Sequence, residues 1–178
     1  MISAEYANIL ESLNGTKNFG KRKKIPNHLE SIIEKYSPNS ILDFGCGTGA
    51  LVSTLKTRYP KKTIEGYDPG NKKFTNKFEN QKFDLVISTD VLEHIEPNFL
   101  NETLIFLKEK SNRCYHLIAL EPSRVFLPDG RNAHLILKSK DWWKNKFIEL
   151  GYTIIFEHHM NHRKDNRMVN KYFIAGQY

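Results

Sequence analysis

The stretch that decides the fold is Ser40-Ile41-Leu42-Asp43-Phe44-Gly45-Cys46-Gly47-Thr48-Gly49-Ala50. A short apolar run leads into three glycines at alternate positions, and residues 51–55 then place apolar side chains at helical spacing. Glycine adopts turn conformations that other residues avoid, and it lets a ligand approach the backbone closely. The stretch therefore predicts a strand, a tight turn and a helix, with a ligand bound at the turn.

The residues of this turn leave two ligands open. Gly45, Gly47 and Ala50 satisfy the G-x-G-x-x-A form of the nicotinamide-dinucleotide fingerprint. Asp68 ends the next apolar run and is placed to accept hydrogen bonds from a ribose. Asp43, however, is a carboxylate at the mouth of the loop, where it repels a pyrophosphate and attracts an ammonium group. S-adenosylmethionine (SAM) carries an ammonium, a sulfonium and no phosphate, so the charge pattern favours SAM.

Apolar runs of strand length alternate with segments of helical periodicity along the chain, which is typical of an α/β domain with a mainly parallel sheet. The 178 residues fit one domain, in which residues 1–24 form a basic N-terminal extension or cap. Strands are predicted at residues 40–44, 63–67, 83–88, 114–120, 152–156 and 171–175, and helices around residues 29–36, 51–55, 100–107 and 143–150.

The net charge of +7 is unevenly distributed, because residues 41–100 are net neutral and the excess lies in the two flanks. Five basic residues fall within residues 17–24, and His158, His159 and His162 belong to a second basic segment that ends at Lys171. Such flanks attract anionic partners, including nucleic acid. We favour solvated faces for both segments, and we expect the histidines to be exposed in a turn.

The sequence also indicates the cellular compartment of the protein. No run of about 18 apolar residues is present, so we expect no membrane span. The first residues show no basic segment followed by an apolar block, and we therefore expect no signal peptide. Two cysteines cannot build a disulfide framework, which indicates a reduced, cytoplasmic protein.

Two motifs in the expected order resemble those of the class I SAM-dependent methyltransferases. They are Ile41–Gly49, similar to the SAM-binding motif, and Phe83–Ile95, similar to the fourth-strand motif of that superfamily. The resemblance implies a Rossmann-like three-layer sandwich with a mainly parallel sheet and an antiparallel last strand. It also implies that SAM is the cofactor and S-adenosylhomocysteine (SAH) the product. The implied cofactor contacts are Asp43, Gly45, Cys46, Gly47, Gly49, Asp68, Pro69, Thr89, Asp90, Val91 and Leu92.

The sequence departs from this family between the second and fourth strands. Asp84 lies only 16 positions after Asp68, which is too few for a helix of ~11 residues and a strand of ~5 with their connections. We predict that the third strand is missing or vestigial, and the usual acidic contact to adenine cannot be assigned. Phe74, Phe78 or Phe83 could cover the base, but we favour a place in the core for each.

A second constellation combines Asp90, Glu93 and His94 with the distant His134. In one hypothesis His134 or His94, with Glu93 nearby, is the general base that takes a proton from the acceptor hydroxyl or amine. In the other, all four side chains bind a divalent cation that lowers the pKa of the acceptor. Small-RNA 2′-O-methyltransferases and ubiquinone-pathway O-methyltransferases use a similar motif for a metal. Many class I enzymes have the motif without a metal, and we favour that case.

Further polar residues follow the strand that ends at Leu120. Asp129, Arg131 and Asn132 lie in a loop expected at the carboxyl edge of the sheet, where the acceptor enters. We predict that they bind the acceptor, with Arg131 available to hold a carboxylate or phosphate.

These features together predict a methyltransferase that acts on an oxygen or nitrogen atom. We expect a small molecule or sugar as the acceptor rather than nucleic acid, because no separate recognition domain is visible. An RNA or DNA methyltransferase that uses the basic flanks is the first alternative. A SAM-binding module without activity and an NAD-dependent oxidoreductase are the others. The sequence does not indicate an oligomeric state.

Overall fold

A computed structural model describes residues 2–13, 20–164 and 167–177 of the chain. These residues contain the six predicted strands, the four predicted helices and one helix that was not predicted, at residues 4–13. Short 3₁₀ turns occur at Lys72–Phe74, Leu92–His94 and Pro97–Phe99. The elements are α1 Ala4–Leu13, α2 Asn27–Tyr36, β1 Ser40–Phe44, α3 Ala50–Arg58, β2 Thr63–Tyr67, β3 Leu85–Thr89, α4 Leu100–Lys110, β4 Arg113–Ala119, α5 Lys140–Glu149, β5 Thr153–Lys164 and β6 Arg167–Gln177.

One six-stranded sheet organises the fold, with the order β2-β1-β3-β4-β6-β5. The pairs β1–β2, β1–β3 and β3–β4 are parallel, whereas β6 is antiparallel to both β4 and β5. Parallel strands end at the same edge, so the turns after β1, β3 and β4 meet there. The predicted mainly parallel sheet with an antiparallel last strand is confirmed.

Helices cover both faces of the sheet and bury its apolar side chains. On one face α2 and α3 contribute Leu29, Ile33 and Leu55, which pack with the inner residues of β1 and β3. On the other face α4 and α5 contribute Leu104 and Trp143, both fully buried. The three-layer sandwich is therefore confirmed. None of the helices in the described ranges is both long and apolar enough to cross a membrane.

The described segment between β2 and β3 contains no strand, as predicted from its length. A single 3₁₀ turn at Lys72–Phe74 replaces the expected helix and strand. Phe83 is buried and Phe78 meets it edge-on with ring centroids 5.4 Å apart, so both belong to the core. Phe74 packs against the glycine turn. None of these three rings lines the cavity described below.

The second basic segment differs from the prediction, because it forms strands rather than a turn. β5 continues to Lys164 and β6 begins at Arg167, in one long hairpin. β4 pairs with β6 only from Lys171 onward, so the earlier residues of β6 have no strand on that side. The sequence of this outer part lacks the apolar alternation that signals a strand. His158 and His159 are exposed as expected, while the side chain of His162 lies outside the described part of the chain.

Candidate functional site

A cavity of about 560 Å³ opens at the carboxyl ends of β1, β3 and β4. Its floor is the glycine turn after β1, and one wall is formed by Thr89, Asp90 and Val91 after β3. The N-terminal region closes it, because α1 contributes Tyr6 and Leu10 to the lining and residues 20–24 cross its mouth. The described part of the predicted cap at residues 1–24 therefore covers this cavity. Residues 14–19, including Lys17, lie outside the described part of the chain.

The glycine turn cannot accept side chains at its three glycines. Gly45, Gly47 and Gly49 all have positive φ angles, of 74°, 55° and 76°. A Cβ atom at Gly47 would lie 2.6 Å from the backbone of Gly20, and one at Gly49 would lie 2.3 Å from the ring of Phe74. The turn is thus held between two neighbours. Gly45, Cys46 and Gly47 line the cavity, whereas Gly49 supports the turn from outside it.

Asp43 is a buried carboxyl group at the cavity floor. It is 1% exposed, and its Oδ1 atom has no hydrogen-bond partner among the described residues. Burial, reinforced by the nearby Asp68, raises the pKa of Asp43 to about 8. A cation that entered the cavity would restore the ionised form and satisfy the oxygen. This fits the predicted role of Asp43 in holding an ammonium group.

Asp68 braces the glycine turn from β2. Its carboxylate accepts the backbone N–H of Gly47 at 2.7 Å and that of Gly70 at 2.8 Å. Asp68 and the following Pro69 also line the cavity, so the predicted ribose contact is compatible with their position. Leu92 is different, because it is fully buried in the apolar core and does not line the cavity.

Asp90 binds two cations that the sequence analysis did not connect with it. Its carboxylate pairs with Arg22 from the N-terminal segment and with Lys171 of β6, the latter at 2.5 Å. Burial alone would raise the pKa of Asp90, but Lys171 and Arg22 hold it below its usual value. Arg22 and Lys171 lie 68 and 81 positions from Asp90 in the sequence, and no local sequence pattern predicts such distant contacts. We name this group, Arg22, Asp90 and Lys171, the Asp90 clasp.

Both candidate bases, His94 and His134, line the cavity. Their rings meet edge-on with centroids 4.7 Å apart. The Nδ1–H of His94 donates to the carbonyl of Ala133 at 2.7 Å, and that of His134 donates to the carbonyl of Glu121 at 2.5 Å. Burial lowers the pKa of His94 to about 4 and also lowers the pKa of His134. Both imidazoles are therefore neutral near pH 7, with the basic lone pair on Nε2.

Glu93 lies behind the histidines and is fully buried. Its Oε1 accepts the N–H of Ala119 at 2.8 Å, whereas Oε2 has no partner among the described residues. Burial, with the charge of Asp90 adding to it, raises the pKa of Glu93 to about 8. Glu93 does not line the cavity, so a direct proton transfer from the acceptor to Glu93 has no support from the geometry.

One carboxylate and two imidazoles come together closely enough to hold a metal ion. A ligand atom of each of Glu93, His94 and His134 lies within 4.8 Å of the others. The unpartnered Oε2 of Glu93 is the kind of oxygen that a divalent cation would satisfy, and mixed carboxylate and imidazole sets suit such ions. Asp90, the fourth residue of the predicted set, is committed to its clasp. The three remaining residues fit a divalent cation.

The loop predicted to bind the acceptor lies outside the cavity. Asp129 and Arg131 pair with each other at 2.6 Å on the surface. Asn132 serves the loop itself, because its side chain bonds both the N–H and the carbonyl of Ser123 and accepts the N–H of His134. None of the three lines the cavity, so the geometry gives their predicted contact with the acceptor no support. Asn132 instead holds the backbone of His134 through the hydrogen bond to its N–H.

Sequence reasoning missed most of the N-terminal contribution to the site. Ile2, Tyr6 and Leu10 recur at helical spacing, a signal that was available in the sequence. Gly20–Lys24 was interpreted as a solvated basic face, yet it lines the cavity. The carbonyl of Gly20 accepts both the N–H and the hydroxyl of Thr48, which anchors this segment beside the glycine turn.

Comparison with known proteins places the chain in a family. Residues 21–135 match the family model described as a methyltransferase domain, which covers more than half of the chain. A search of curated proteins finds no significant match.

Solved structures share the fold at low sequence identity. Magnesium protoporphyrin IX methyltransferase from Synechocystis, with bound SAH, has a TM-score of 0.62 and 14% identity, covering 97% of this chain and 99% of that one. The methyltransferase domain of a bacterial Hen1 has a TM-score of 0.61 and 14% identity, and the match covers 85% of this chain and 96% of that one. TehB from Haemophilus influenzae has a TM-score of 0.61 and 13% identity, and the match covers 95% of this chain and 66% of that one. At such identities the likeness shows the fold alone.

The family match supports the methyltransferase hypothesis over that of an oxidoreductase, and it agrees with the glycine turn, the buried Asp43 and the sheet order. The chain belongs to the methyltransferase-domain family and has the fold of the class I SAM-dependent methyltransferases.

Proposed function

We propose that this SAM-dependent methyltransferase methylates an oxygen or nitrogen atom of a small molecule. The observation that carries the proposal is the covered cavity, in which the glycine turn with Asp43 faces His94 and His134. Cavities of ~300–1,000 Å³ enclose small ligands. Because α1 covers part of this cavity, a polymer has less access to it than a small molecule has. The free, buried Cys46 and Cys114 are compatible with the reduced cytoplasm as its place of action.

The residues around the cavity divide the work of the reaction. Bound SAM supplies an electrophilic methyl group. Asp43 would hold the ammonium of the cofactor, Asp68 its ribose, and the narrow glycine turn its methionine end. The Nε2 atom of His134 is available to accept the proton that the acceptor loses, because Nδ1 of that ring is a donor to Glu121. General-base help of this kind contributes roughly 10²–10⁴-fold to a rate.

The proposal is tested first on cofactor binding. Isothermal titration with SAM, SAH and NAD should show binding of SAM and SAH and none of NAD. Asp43→Ala removes the counter-charge, and Gly47→Leu drives a side chain into Gly20, so both should abolish SAM binding. Asp129→Ala is the control, since it removes an exposed carboxylate outside the cavity. Tight binding of NAD without SAM would contradict the assignment of the cofactor.

Turnover is tested with labelled SAM and cell extract that has been separated into small molecules, nucleic acid and protein. We expect label in the small-molecule fraction and its loss by about 10²–10⁴-fold in His134→Gln, with SAM affinity retained. Label in RNA or DNA would support the nucleic-acid alternative instead. A protein that binds SAM but labels none of the fractions would be the inactive binding module.

A metal-assisted reaction is the second candidate, favoured by the cluster of Glu93, His94 and His134 with its unpartnered carboxylate oxygen. A divalent cation held there would lower the pKa of an acceptor hydroxyl. A chelator should then remove activity, and Mg²⁺, Mn²⁺ or Zn²⁺ should restore it. If turnover is unchanged by the chelator, His134 acts as the base without a metal.

A further inference from the structure

Three lysines form a rim around the mouth of the cavity. Lys21, Lys23 and Lys24 line it and are exposed. No ion pair joins any of them to another described residue, whereas the neighbouring Arg22 is paired. Cations at the mouth of a cleft with low-dielectric walls focus their field into it and raise the local concentration of anions. We call these three residues the lysine rim.

The Asp90 clasp adds positive charge inside the cavity. Asp90 contributes one negative charge, while Arg22 and Lys171 contribute one positive charge each. Their side chains are 31% and 22% exposed, so both cations remain accessible from the cavity they line. Because the carboxylate fixes two long side chains, it reduces the entropy that each would lose on binding a ligand.

The carboxylates of the cavity do not cancel this charge. Asp43 and Asp68 lie at the glycine turn, where the cofactor brings its own cations. Glu121 lines the histidine side, but its Oε2 accepts the N–H of Asn170 at 2.8 Å. The lining of the whole cavity includes four carboxyl groups, from Asp43, Asp68, Asp90 and Glu121, and five cationic side chains, from residues 21–24 and Lys171.

We infer that the methyl acceptor is a small molecule that carries an anionic group, a phosphate or a carboxylate, and that the lysine rim and Arg22 bind it. The inference rests on the proposed function and specifies its substrate class. Arg22 offers the planar, bidentate donors that suit either group, and the lysines attract it. An anion anchored at the mouth leaves the rest of the molecule to reach His134 on the cavity wall.

The test measures anion binding with the cofactor site already filled. Full-length protein saturated with SAH is titrated at low salt with inorganic phosphate, with citrate and with a single-stranded RNA oligonucleotide. The rim variant is Lys21→Gln/Lys23→Gln/Lys24→Gln. Its control, Lys56→Gln/Lys61→Gln/Lys82→Gln, removes the same charge from exposed lysines that do not line the cavity.

We expect phosphate or citrate to bind the wild type and the control equally and the rim variant at least about tenfold more weakly, with binding also weakened by salt. SAH affinity should be the same in all three proteins. Absence of anion binding, or equal losses in both variants, would overturn the inference. So would a parallel loss of SAH affinity, which would put the lysines on the carboxylate of the cofactor.

Rim-dependent binding of RNA without binding of phosphate or citrate would overturn it in favour of a polymer. The proposed function fails in a different way, namely when the wild-type protein binds neither SAM nor SAH. The two failures are therefore distinguishable in one set of titrations.

Discussion

At the scale of single residues, Asp43 is a buried carboxyl group whose ionisation depends on the charge next to it. A carboxyl group that is 1% exposed and lacks a hydrogen bond to Oδ1 is costly to ionise, which is why its pKa rises to about 8. In the cofactor-free protein it is therefore mostly neutral at pH 7. Contact with an ammonium group favours the charged form, so we expect binding of the cofactor to be coupled to release of a proton.

This coupling makes a calorimetric prediction. At pH 7, titration of SAM in buffers of different ionisation enthalpy should report release of nearly one proton per cofactor bound. SAM affinity should rise as the pH rises toward 8, because less free energy is then needed to ionise Asp43. Asp43→Asn should bind SAM more weakly and release no proton, while Asp129→Asn should behave as the wild type. Equal proton release by Asp43→Asn and the wild type would show that another group is responsible.

At the scale of elements, α1 is held to the domain by few contacts. Tyr6 is buried against Leu127 and Ala133 in a small cluster separate from the two main cores. The N–H and hydroxyl of Ser3 donate to the carboxylate of Glu96 at 2.7 and 2.9 Å. Glu11 of α1 also pairs with Lys72 at 2.7 Å, but both side chains are exposed. An element held by one small apolar cluster and a few polar contacts opens more easily than the sheet does. We therefore expect α1 to be the part of the cavity wall that opens for ligands.

The ring of Tyr6 should decide how tightly α1 is closed. Tyr6→Ala removes a buried ring, a change that costs about 3–5 kcal/mol in apolar cores, and should release α1 while the sheet stays folded. Amide hydrogen exchange should then become fast in residues 4–13 and stay slow in β1 and β3. Tyr6→Phe is the matched control, because the buried hydroxyl has no partner among the described residues. Faster exchange throughout the sheet would mean that α1 is part of the cooperative core.

The whole molecule combines buried groups with opposite responses to pH. His116 is fully buried between Ser88 and Tyr152, and burial lowers its pKa to about 3. A lowered histidine pKa stabilises the fold above 6.5, and that stability is lost as the pH falls. Asp43 and Glu93, whose pKa values are raised to about 8, act in the other direction, since their stability is lost as the pH rises toward 8. We expect the dependence of stability on pH to be the balance of the two effects.

A comparison of variants isolates the histidine contribution. Between pH 6.5 and 4.5 His116 becomes protonated in the unfolded state but stays neutral in the folded state. This difference lowers the free energy of unfolding by on the order of 2–3 kcal/mol. The thermal midpoint of His116→Gln should therefore fall about 5 °C less than that of the wild type over this range. His159→Gln changes an exposed histidine and should leave the wild-type slope unaltered. Parallel slopes for all three proteins would contradict the assignment.

Local patterns were sufficient for most of the fold. The predicted spans of β1 and β2 coincide with the observed strands, and β3 and β4 differ by one or two residues at their ends, because burial on both faces leaves a continuous apolar run. The glycine turn, Asp43 and the missing third strand were likewise predictable, since each depends on the residues of a short segment. The long β5–β6 hairpin was not, because the sequence of its outer part has no apolar alternation.

The sequence by itself determined the family of the chain, its three-layer architecture and the glycine turn with Asp43, since these depend on short-range spacing. The tertiary structure alone decided which other residues line the cavity. It brought Arg22 and Lys171 to Asp90, His134 to His94 and the basic segment to the mouth of the cavity, and it left Asp129 and Arg131 outside. Such contacts join residues tens of positions apart, and packing of whole elements creates them without any local pattern.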